Sequence, residues 1–179
     1  MDFSNLILEK IGSFVEEYNF RIVEERSYYL KLQSDNLIII VVHNEMENSN
    51  TLWLAENETK INNIEIDNEV LKLFFNSDLK LSQVSIETFV NNLALFLQNE
   101  AEPLLNGITG KFAELQKFDL DRSKKYTQEL LINNTLEIAD KAWEVNDYAN
   151  FVKSIDKLPI NEIIPQSYRL KYKIAKQKL

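Results

Sequence analysis

The stretch "LIIIVVH", residues 37–43, contains the longest apolar run of the chain and decides how the chain folds. Its β-branched side chains favour a strand, and apolar residues at successive positions would face both sides of a sheet. We therefore expect a central strand that is covered on each face. The run is far shorter than the ~20 residues that a membrane-spanning helix requires, so we expect no membrane partner.

Further strands are predicted on both sides of this run. Upstream, "FRIVEERSYYLKLQ" (20–33) alternates apolar and polar residues, which indicates one long strand or two bent ones, and "SDN" (34–36) is a turn signal. Downstream, "NEMENSN" (44–50) interrupts the apolar pattern before a shorter strand at "TLWLA" (51–55), and "IEI" (64–66) is a candidate for one more short strand. We predict an antiparallel meander of three to four strands.

Helical spacing dominates the rest of the chain. Residues 3–18 carry apolar side chains at steps of three and four, and Asn19 can adopt the left-handed conformation of a helix exit. Ser85 can cap a longer helix, which Pro103 should kink or stop. Gly107 is a natural terminator for the helical segment before it.

The segments after Gly107 are predicted to be α-helical: a short helix at "KFAELQKF" (111–118), then a long helix capped by Asp121. The predicted fold class is α+β, with an N-terminal helix and a three- to four-stranded antiparallel meander followed by a mainly α-helical C-terminal region. We expect an α+β region over 1–106 and a helical region over 107–179 that packs against it in one compact unit.

Charge is unevenly distributed along the chain. The net charge is −8, but residues 1–106 hold 7 Lys/Arg against 18 Asp/Glu, whereas residues 107–179 hold 13 against 10. An acidic front half should repel a phosphate backbone, so nucleic acid is excluded as an expected partner. A basic protein would be steered toward this surface. Solubility is the plainer explanation of the same acidity.

The residue types needed for common catalytic and metal sites are scarce. The chain has no Cys and a single histidine, His43, so thiol chemistry and a multi-histidine metal site are not expected. His43, Glu45 and Glu47 would share one face if their strand continued, which makes a metal conceivable, although a strand that ends in polar residues at a solvent-facing loop is the preferred explanation. We expect no cofactor, no resident metal and no catalytic residue.

Two features of the sequence concern where the protein is found. The N-terminus "MDFSNLILEK" lacks the basic and small-residue features of a secretion signal, so we expect a soluble, cytoplasmic protein. Its 20 Asn, with abundant Ile and Lys, suggest an AT-rich bacterial genome.

The stretch "AWEVNDYANFVKSIDKLP" (142–159) indicates a tight turn between two antiparallel helices, with Asn146 at the helix exit and Asp147 as the cap of the next helix. It resembles the junction between the two helices of a tetratricopeptide repeat, although Asn146 replaces the usual Gly and bulky Phe151 lies near an expected small residue. No second copy occurs at the 34-residue period, and such arrays need at least ~3 repeats. We therefore expect one helical hairpin.

A broader resemblance covers nearly the full length. An N-terminal helix, the "LIIIVVHNE" and "TLWLA" strands, and helices ending in "NDYANFVKSIDKLP" and "YRLKYKIAK" together resemble small uncharacterised bacterial α+β proteins, some of them suspected immunity proteins of polymorphic toxin systems. The resemblance implies a protein that blocks a toxin by contact. An acidic front half would suit a basic toxin.

The leading expectation is a non-catalytic protein-binding protein, in its sharpest form a toxin-neutralising immunity-type protein. The candidate contact residues are Glu45, Glu47, Glu56, Glu58 and Tyr29. The neighbouring Tyr28 should point to the face opposite Tyr29, and Trp53 is expected in the core. One alternative is a helical adaptor that uses a groove along residues 122–158, and another is a carboxylate-based enzyme. The sequence leaves the partner and the oligomeric state open.

Overall fold

The computed structural model describes residues 2–57, 63–108, 110–158 and 164–179. The helices are α1 (Phe3–Glu17), α2 (Asn68–Leu73), α3 (Ile86–Asn99), α4 (Glu102–Leu105), α5 (Lys111–Glu144), α6 (Tyr148–Ile155) and α7 (Gln166–Lys178). The strands are β1 (Arg21–Arg26), β2 (Tyr29–Gln33), β3 (Leu37–Asn44), β4 (Ser49–Glu56) and β5 (Ile64–Glu65). The predicted α+β class, with its opening helix, antiparallel sheet and mainly helical C-terminal region, is confirmed.

The chain divides into two compact units, Met1–Asp119 and Leu120–Leu179. The division falls within α5. The described helices include none that is both long enough and apolar enough to cross a bilayer.

The sheet is an antiparallel meander of five described strands in the order β1-β2-β3-β4-β5, so β3 is the central strand, as predicted. Of the two alternatives for residues 20–33, the structure has two strands, β1 and β2. The candidate strand at "IEI" is the two-residue β5, whose Ile64 lies opposite Leu54. The strand count exceeds the predicted three to four because residues 20–33 form two strands and β5 also forms.

The apolar run of β3 contributes side chains to both faces of the sheet. Leu37, Ile39 and Val41 are at most 1% exposed and lie in the main core. Ile38 and Ile40 point the other way into a smaller cluster. Because side chains alternate along a strand, a continuous apolar run is the expected pattern for a strand covered on each side.

Helix α1 lies against the first face. The Asp2 side chain caps it by accepting hydrogen bonds from the backbone N–H groups of Ser4 and Asn5. Its predicted apolar stripe is buried: Phe3, Ile7, Ile11 and Phe14 are all at most 2% exposed. Asn19 has φ of +54°, which confirms the predicted helix exit.

Helix α3 packs beside α1 and contributes buried side chains to the main core. Ser85 caps it through a hydrogen bond from Thr88 N, as predicted. The helix ends at Asn99, and Pro103 lies in the first turn of the short α4. Burying each large apolar side chain of this core contributes about 1.5–3 kcal/mol, so the core holds the sheet and these two helices together.

Residues 111–144 form one continuous helix, so the prediction of a short helix followed by a second one capped by Asp121 is wrong. No Gly or Pro occurs between Lys111 and Glu144, and nothing else in this segment disfavours helix strongly enough to end it. Asp121 lies in mid-helix, where its carboxylate is 4.0 Å from Lys124 Nζ. A capping residue type therefore did not mark a helix start here.

The second unit contains the predicted hairpin turn. Asn146 has φ of +58°, and the Asp147 carboxylate accepts a hydrogen bond from Asn150 N at 3.1 Å, so both predicted roles are confirmed. The Trp143 ring contacts Tyr148 and Phe151, with centroid distances of 5.5 and 5.2 Å. Buried apolar residues of α5, α6 and α7 form a separate core: Ile132, Ala139, Phe151, Val152, Ile155 and Ala175, with Leu158 and Ile164 beside them.

Candidate functional site

The structure separates the predicted contact residues. Glu45 and Glu47 lie in the turn between β3 and β4, whereas Glu56 ends β4 and lies opposite Leu37. An eight-residue antiparallel strand such as β4 spans roughly 24 Å, so Glu56 is at the other end of the sheet. Glu58 lies outside the described residues. Tyr29 is on the sheet face that points away from α1.

The β3–β4 turn is held by its own side chains. Asn44 Oδ1 accepts hydrogen bonds from the backbone N–H groups of Met46 and Glu47, at 3.0 and 3.4 Å, and Asn48 has φ of +48°. The strand ends at Asn44, so His43, Glu45 and Glu47 do not follow one strand face. Within the described ranges, no group of three or more His, Asp and Glu side chains could hold a metal ion.

His43 is 8% exposed and hydrogen-bonded to Asn50, its cross-strand neighbour. Its Nδ1 lies 2.9 Å from Asn50 Oδ1, while Asn50 Nδ2 donates to the Val84 carbonyl at 3.3 Å. Because the amide nitrogen donates to a carbonyl, the amide oxygen faces the imidazole and accepts a hydrogen bond from Nδ1–H. The neutral ring therefore carries its proton on Nδ1, and Nε2 is an acceptor.

The second ring nitrogen of His43 reaches solvent. Among the described residues, no side chain hydrogen-bonds Nε2, and this atom is not among the buried polar atoms that lack a partner. The solvent space along the ring is a cavity of about 130 Å³. Six residues line this cavity, which we call the His43 cavity: Phe3, Leu6, Tyr28, His43, Glu45 and Ile86.

Three aromatic rings and one carboxylate define the chemistry of the His43 cavity. The His43 ring contacts both Phe3 and Tyr28, with centroid distances of 5.4 and 5.8 Å. A hydrogen bond to Glu45 raises the pKa of Tyr28 above its ordinary value of 10, with smaller contributions from desolvation and from the charges of Glu45 and Asp2. The carboxylates of Glu45 and Asp2 thus act on Tyr28, and Glu45 also lines the cavity.

An open groove of about 760 Å³ adjoins the His43 cavity, and we call it the α1–α3 groove. Leu6 and Ile86 line both spaces. The other lining residues are Glu9, Lys10, Asn48, Ser85, Glu87, Val90 and Asn91. The groove is formed by residues of α1, the first turns of α3 and the turn between β3 and β4, so only the folded unit assembles it.

Glu56 lies beside a different cavity, of about 270 Å³, together with Asp35. Both carboxylates are exposed. The nearby Gly107 has φ of +61° and packs against the side chain of Asn36, whose Nδ2 donates to the Leu105 carbonyl at 3.3 Å. This contact ties the loop after β2 to the end of α4.

The outward face of the sheet carries a third cluster. Ile38, Ile40 and Ala55 are buried there, and Tyr29 and Trp53 are half-buried against them. Trp53, which was expected in the core, packs half-buried against this cluster and not in the main core: its neighbours Leu52 and Leu54 face the main core, so Trp53 faces the other way. Tyr28 contacts His43, whereas Tyr29 packs on the outward face. The prediction that Tyr28 and Tyr29 point to opposite faces is therefore confirmed.

Several residues of the candidate site were not predicted from the sequence. Phe3 was assigned to a core stripe, which is correct, but its ring also walls the His43 cavity. Ile86 and Glu87 carried no local signal, because the residues of the site come from four separate stretches of chain. The spacing of His43 and Glu45 was the one available signal.

Comparisons of the chain with known protein families, with curated proteins and with solved structures find no match. The chemistry of the described surfaces is therefore the basis for the functional proposal.

Proposed function

We propose that this chain is a non-catalytic protein that binds another protein, and that the α1–α3 groove receives a basic, amphipathic segment of that partner. The composition of the groove carries the proposal. Leu6, Ile86 and Val90 supply apolar surface, and the carboxylates of Glu9 and Glu87 are exposed beside it. Among the described residues that line the groove, Lys10 is the one cation.

Charge complementarity selects the partner. Residues 1–119 hold 20 Asp/Glu against 9 Lys/Arg, so the unit that contains the groove attracts cationic partners. Apolar contacts in the groove would supply affinity, and the surrounding carboxylates would supply orientation and a faster encounter. Glu45 and Glu47 belong to the turn beside the groove, whereas Glu56 and Tyr29 are on other surfaces and are left out of the proposed contact.

The environment of His43 supports a role without catalysis. Its Nδ1 is paired with a neutral amide, Asn50, and Glu45 is the one carboxylate in the part of the cavity lining that the structure describes. An acid and base pair of two carboxylates would need a second carboxylate beside Glu45, and the described lining of the cavity holds none. The sharpest form of the proposal is a toxin-neutralising, immunity-type protein, which rests on the resemblance seen in the sequence.

The test uses a fluorescent amphipathic helical peptide with Leu on one face and Lys on the other. We expect saturable binding by fluorescence anisotropy, and weaker binding as salt screens the exposed charges. A Glu9→Lys/Glu87→Lys variant should weaken binding by at least about tenfold, because the cross-groove attraction becomes repulsion.

The matched control is Glu16→Lys/Glu17→Lys, which makes the same change of net charge at exposed positions near the other end of α1. This control should bind nearly as well as the natural chain. Equal weakening in both variants would show an effect of net charge alone, and unchanged binding by the groove variant would remove the groove as the contact site. Thermal melts of each variant establish that it is folded.

One observation favours the helical adaptor as a second candidate. Leu131 and Ile138 lie seven apart on α5 and are 62 and 59% exposed, and Val145, the residue after the end of α5, is 73% exposed. Residues seven apart on a helix lie on the same face, so Leu131 and Ile138 share an exposed apolar face that Val145 follows. If the adaptor function is correct, Ile138→Lys/Val145→Lys should abolish capture of a lysate protein that Glu9→Lys/Glu87→Lys still captures. Capture that survives Ile138→Lys/Val145→Lys would eliminate this candidate.

A further inference from the structure

We propose that the His43 cavity binds the primary ammonium group of a lysine side chain, presented by the partner segment that occupies the α1–α3 groove. The inference rests on the proposed function, because the groove would deliver that side chain. It goes further by naming the one side chain that the cavity selects.

The walls of the cavity suit a cation. Tyr28 is the exposed ring of the lining, at 37%, and the face of an aromatic ring attracts a cation within about 6 Å of its centroid. Phe3 and His43 are nearly buried beside it. Glu45 adds a full negative charge to the lining. The volume of about 130 Å³ accommodates an ammonium head group, not a large ligand.

The acceptors of the cavity select a primary ammonium over a quaternary one. A lysine ammonium carries three N–H donors and needs acceptors for them when it leaves water. The hydrogen bond between His43 and Asn50 leaves the lone pair of Nε2 on the solvent-facing side of the ring. The Glu45 carboxylate is a second acceptor and the Tyr28 hydroxyl is a third. A quaternary ammonium would use none of these hydrogen bonds.

The junction between cavity and groove suits the rest of a lysine side chain. Leu6 and Ile86 line both spaces, so they border any path from the groove into the cavity. The four methylenes of lysine can pack along such apolar residues while the ammonium group enters the cavity. An arginine side chain would bring a wider, planar head group, which a cavity of about 130 Å³ accommodates less readily than a compact ammonium.

The experiment uses n-butylammonium, which reproduces the lysine side chain from its β-carbon outward. His43 is the only histidine, so its imidazole gives a single set of NMR signals at the wall of the cavity. Titration with n-butylammonium, at constant pH and at an ionic strength held constant with sodium chloride, should shift these signals saturably. Neutral n-butanol should not shift them, and tetramethylammonium should bind at least about tenfold more weakly because it lacks N–H donors.

Variants on the same turn distinguish the cavity from general acidity. Glu45→Gln should weaken n-butylammonium binding by about tenfold, because it removes the charge that faces the cavity. Glu47→Gln is the matched control, because Glu47 is exposed on this turn and lines neither space. Tyr28→Leu removes one ring and should also weaken binding. Melting curves establish that each variant is folded.

The outcomes separate this inference from the proposed function. Equal shifts by n-butanol would show an apolar pocket and overturn the inference. Unchanged binding by Glu45→Gln, or no saturable shift, would also overturn it. If the amphipathic peptide binds the groove while n-butylammonium fails, the ammonium site is wrong and the groove stands. If n-butylammonium binds while the peptide fails, the ammonium site stands without the groove partner.

Discussion

His43 and Asn50 lie opposite each other on β3 and β4, and the imidazole Nδ1 is 2.9 Å from the amide oxygen. The same amide donates to the carbonyl of Val84, two residues before α3 begins. This buried pair therefore links the sheet to the segment that leads into α3. It also orients the ring that walls the His43 cavity.

Replacement of Asn50 should lower the stability of the fold more than replacement of an exposed polar residue does. In Asn50→Ala, the His43 N–H and the Val84 carbonyl lose their shared partner, and we expect the free energy of unfolding to fall by about 1–3 kcal/mol. Urea denaturation measures this change. Asn99→Ala is the control, because Asn99 bonds the Leu95 carbonyl on an exposed helix surface. A loss no larger than that of the control would contradict the assigned role of Asn50.

Two neighbours on β4 test the assignment of the sheet faces. Leu54 is fully buried in the main core, so Leu54→Ala should lower the free energy of unfolding by about 2–5 kcal/mol. Trp53 is half-buried on the outward face, and Trp53→Thr, which keeps strand propensity, should cost only about 1 kcal/mol. Urea denaturation of both variants measures which loss of unfolding free energy is larger. A larger loss in Trp53→Thr would mean that the outward face is a second core.

Two glycines should respond in opposite ways to alanine. Gly107 has φ of +61°, and a Cβ there would lie 2.9 Å from Asn36 Cγ, so Gly107→Ala should destabilise the fold by about 1–2 kcal/mol. Gly12 lies inside α1 with nothing within 4 Å of an added Cβ, so Gly12→Ala should stabilise it by about 0.5–1 kcal/mol. Thermal melts measure both changes. A neutral Gly107→Ala would show that this loop can adjust its backbone.

The second unit should depend on pH through Asp140. Tyr168 OH and Lys171 Nζ both donate to its carboxylate, and these hydrogen bonds lower the pKa of Asp140 below 3.8. Because the folded pKa is the lower one, this stabilisation is present above pH 3.8 and is lost as the pH falls through the folded pKa. We expect Asp140→Asn to lower the free energy of unfolding by about 0.5–1 kcal/mol at pH 7. The loss is small because Asp140 and Lys171 are partly exposed to solvent.

The measurement is the melting temperature from pH 7 downward, with Trp143 fluorescence as the signal in a Trp53→Phe background. The difference between Asp140→Asn and the parent should vanish as the pH falls, and a difference independent of pH would contradict the assignment. At the alkaline end, burial and the hydrogen bond to Asp140 raise the pKa of Tyr168 to about 12. The stability that Tyr168 contributes through this raised pKa is present below pH 10 and is lost as the pH rises toward 12.

Apolar periodicity and capping residues predicted the positions of most helices and strands, because the conformation of such a segment depends mainly on residues close together in the chain. The apolar run at 37–43 identified the central strand, and Ser85 and Asp147 marked helix starts through side chains that accept hydrogen bonds from the next turn. Asp121 shows the weakness of such signals. Its carboxylate could cap a helix, but the uninterrupted helical propensity on both sides of it prevailed.

The candidate site was less predictable. The acidic residues around 45–58 are close in sequence, yet β4 carries Glu56 to the end of the sheet opposite Glu45. Conversely, Phe3, Tyr28 and Ile86 are far apart in sequence and meet in one cavity. Side-chain spacing predicts which face of an element a residue occupies, but not which other element that face will meet.

The sequence by itself determined the fold class, the central strand, the opening helix, the hairpin turn at Asn146 and Asp147, and the acidic character of the front half. Each follows from the conformational preferences or charges of residues close together in the chain. The tertiary structure alone decided that Tyr28, His43 and Glu45 would share a cavity with Phe3, beside a groove between α1 and α3. Those neighbours arise from packing distant segments around one core, and that packing depends on the whole of the folded unit.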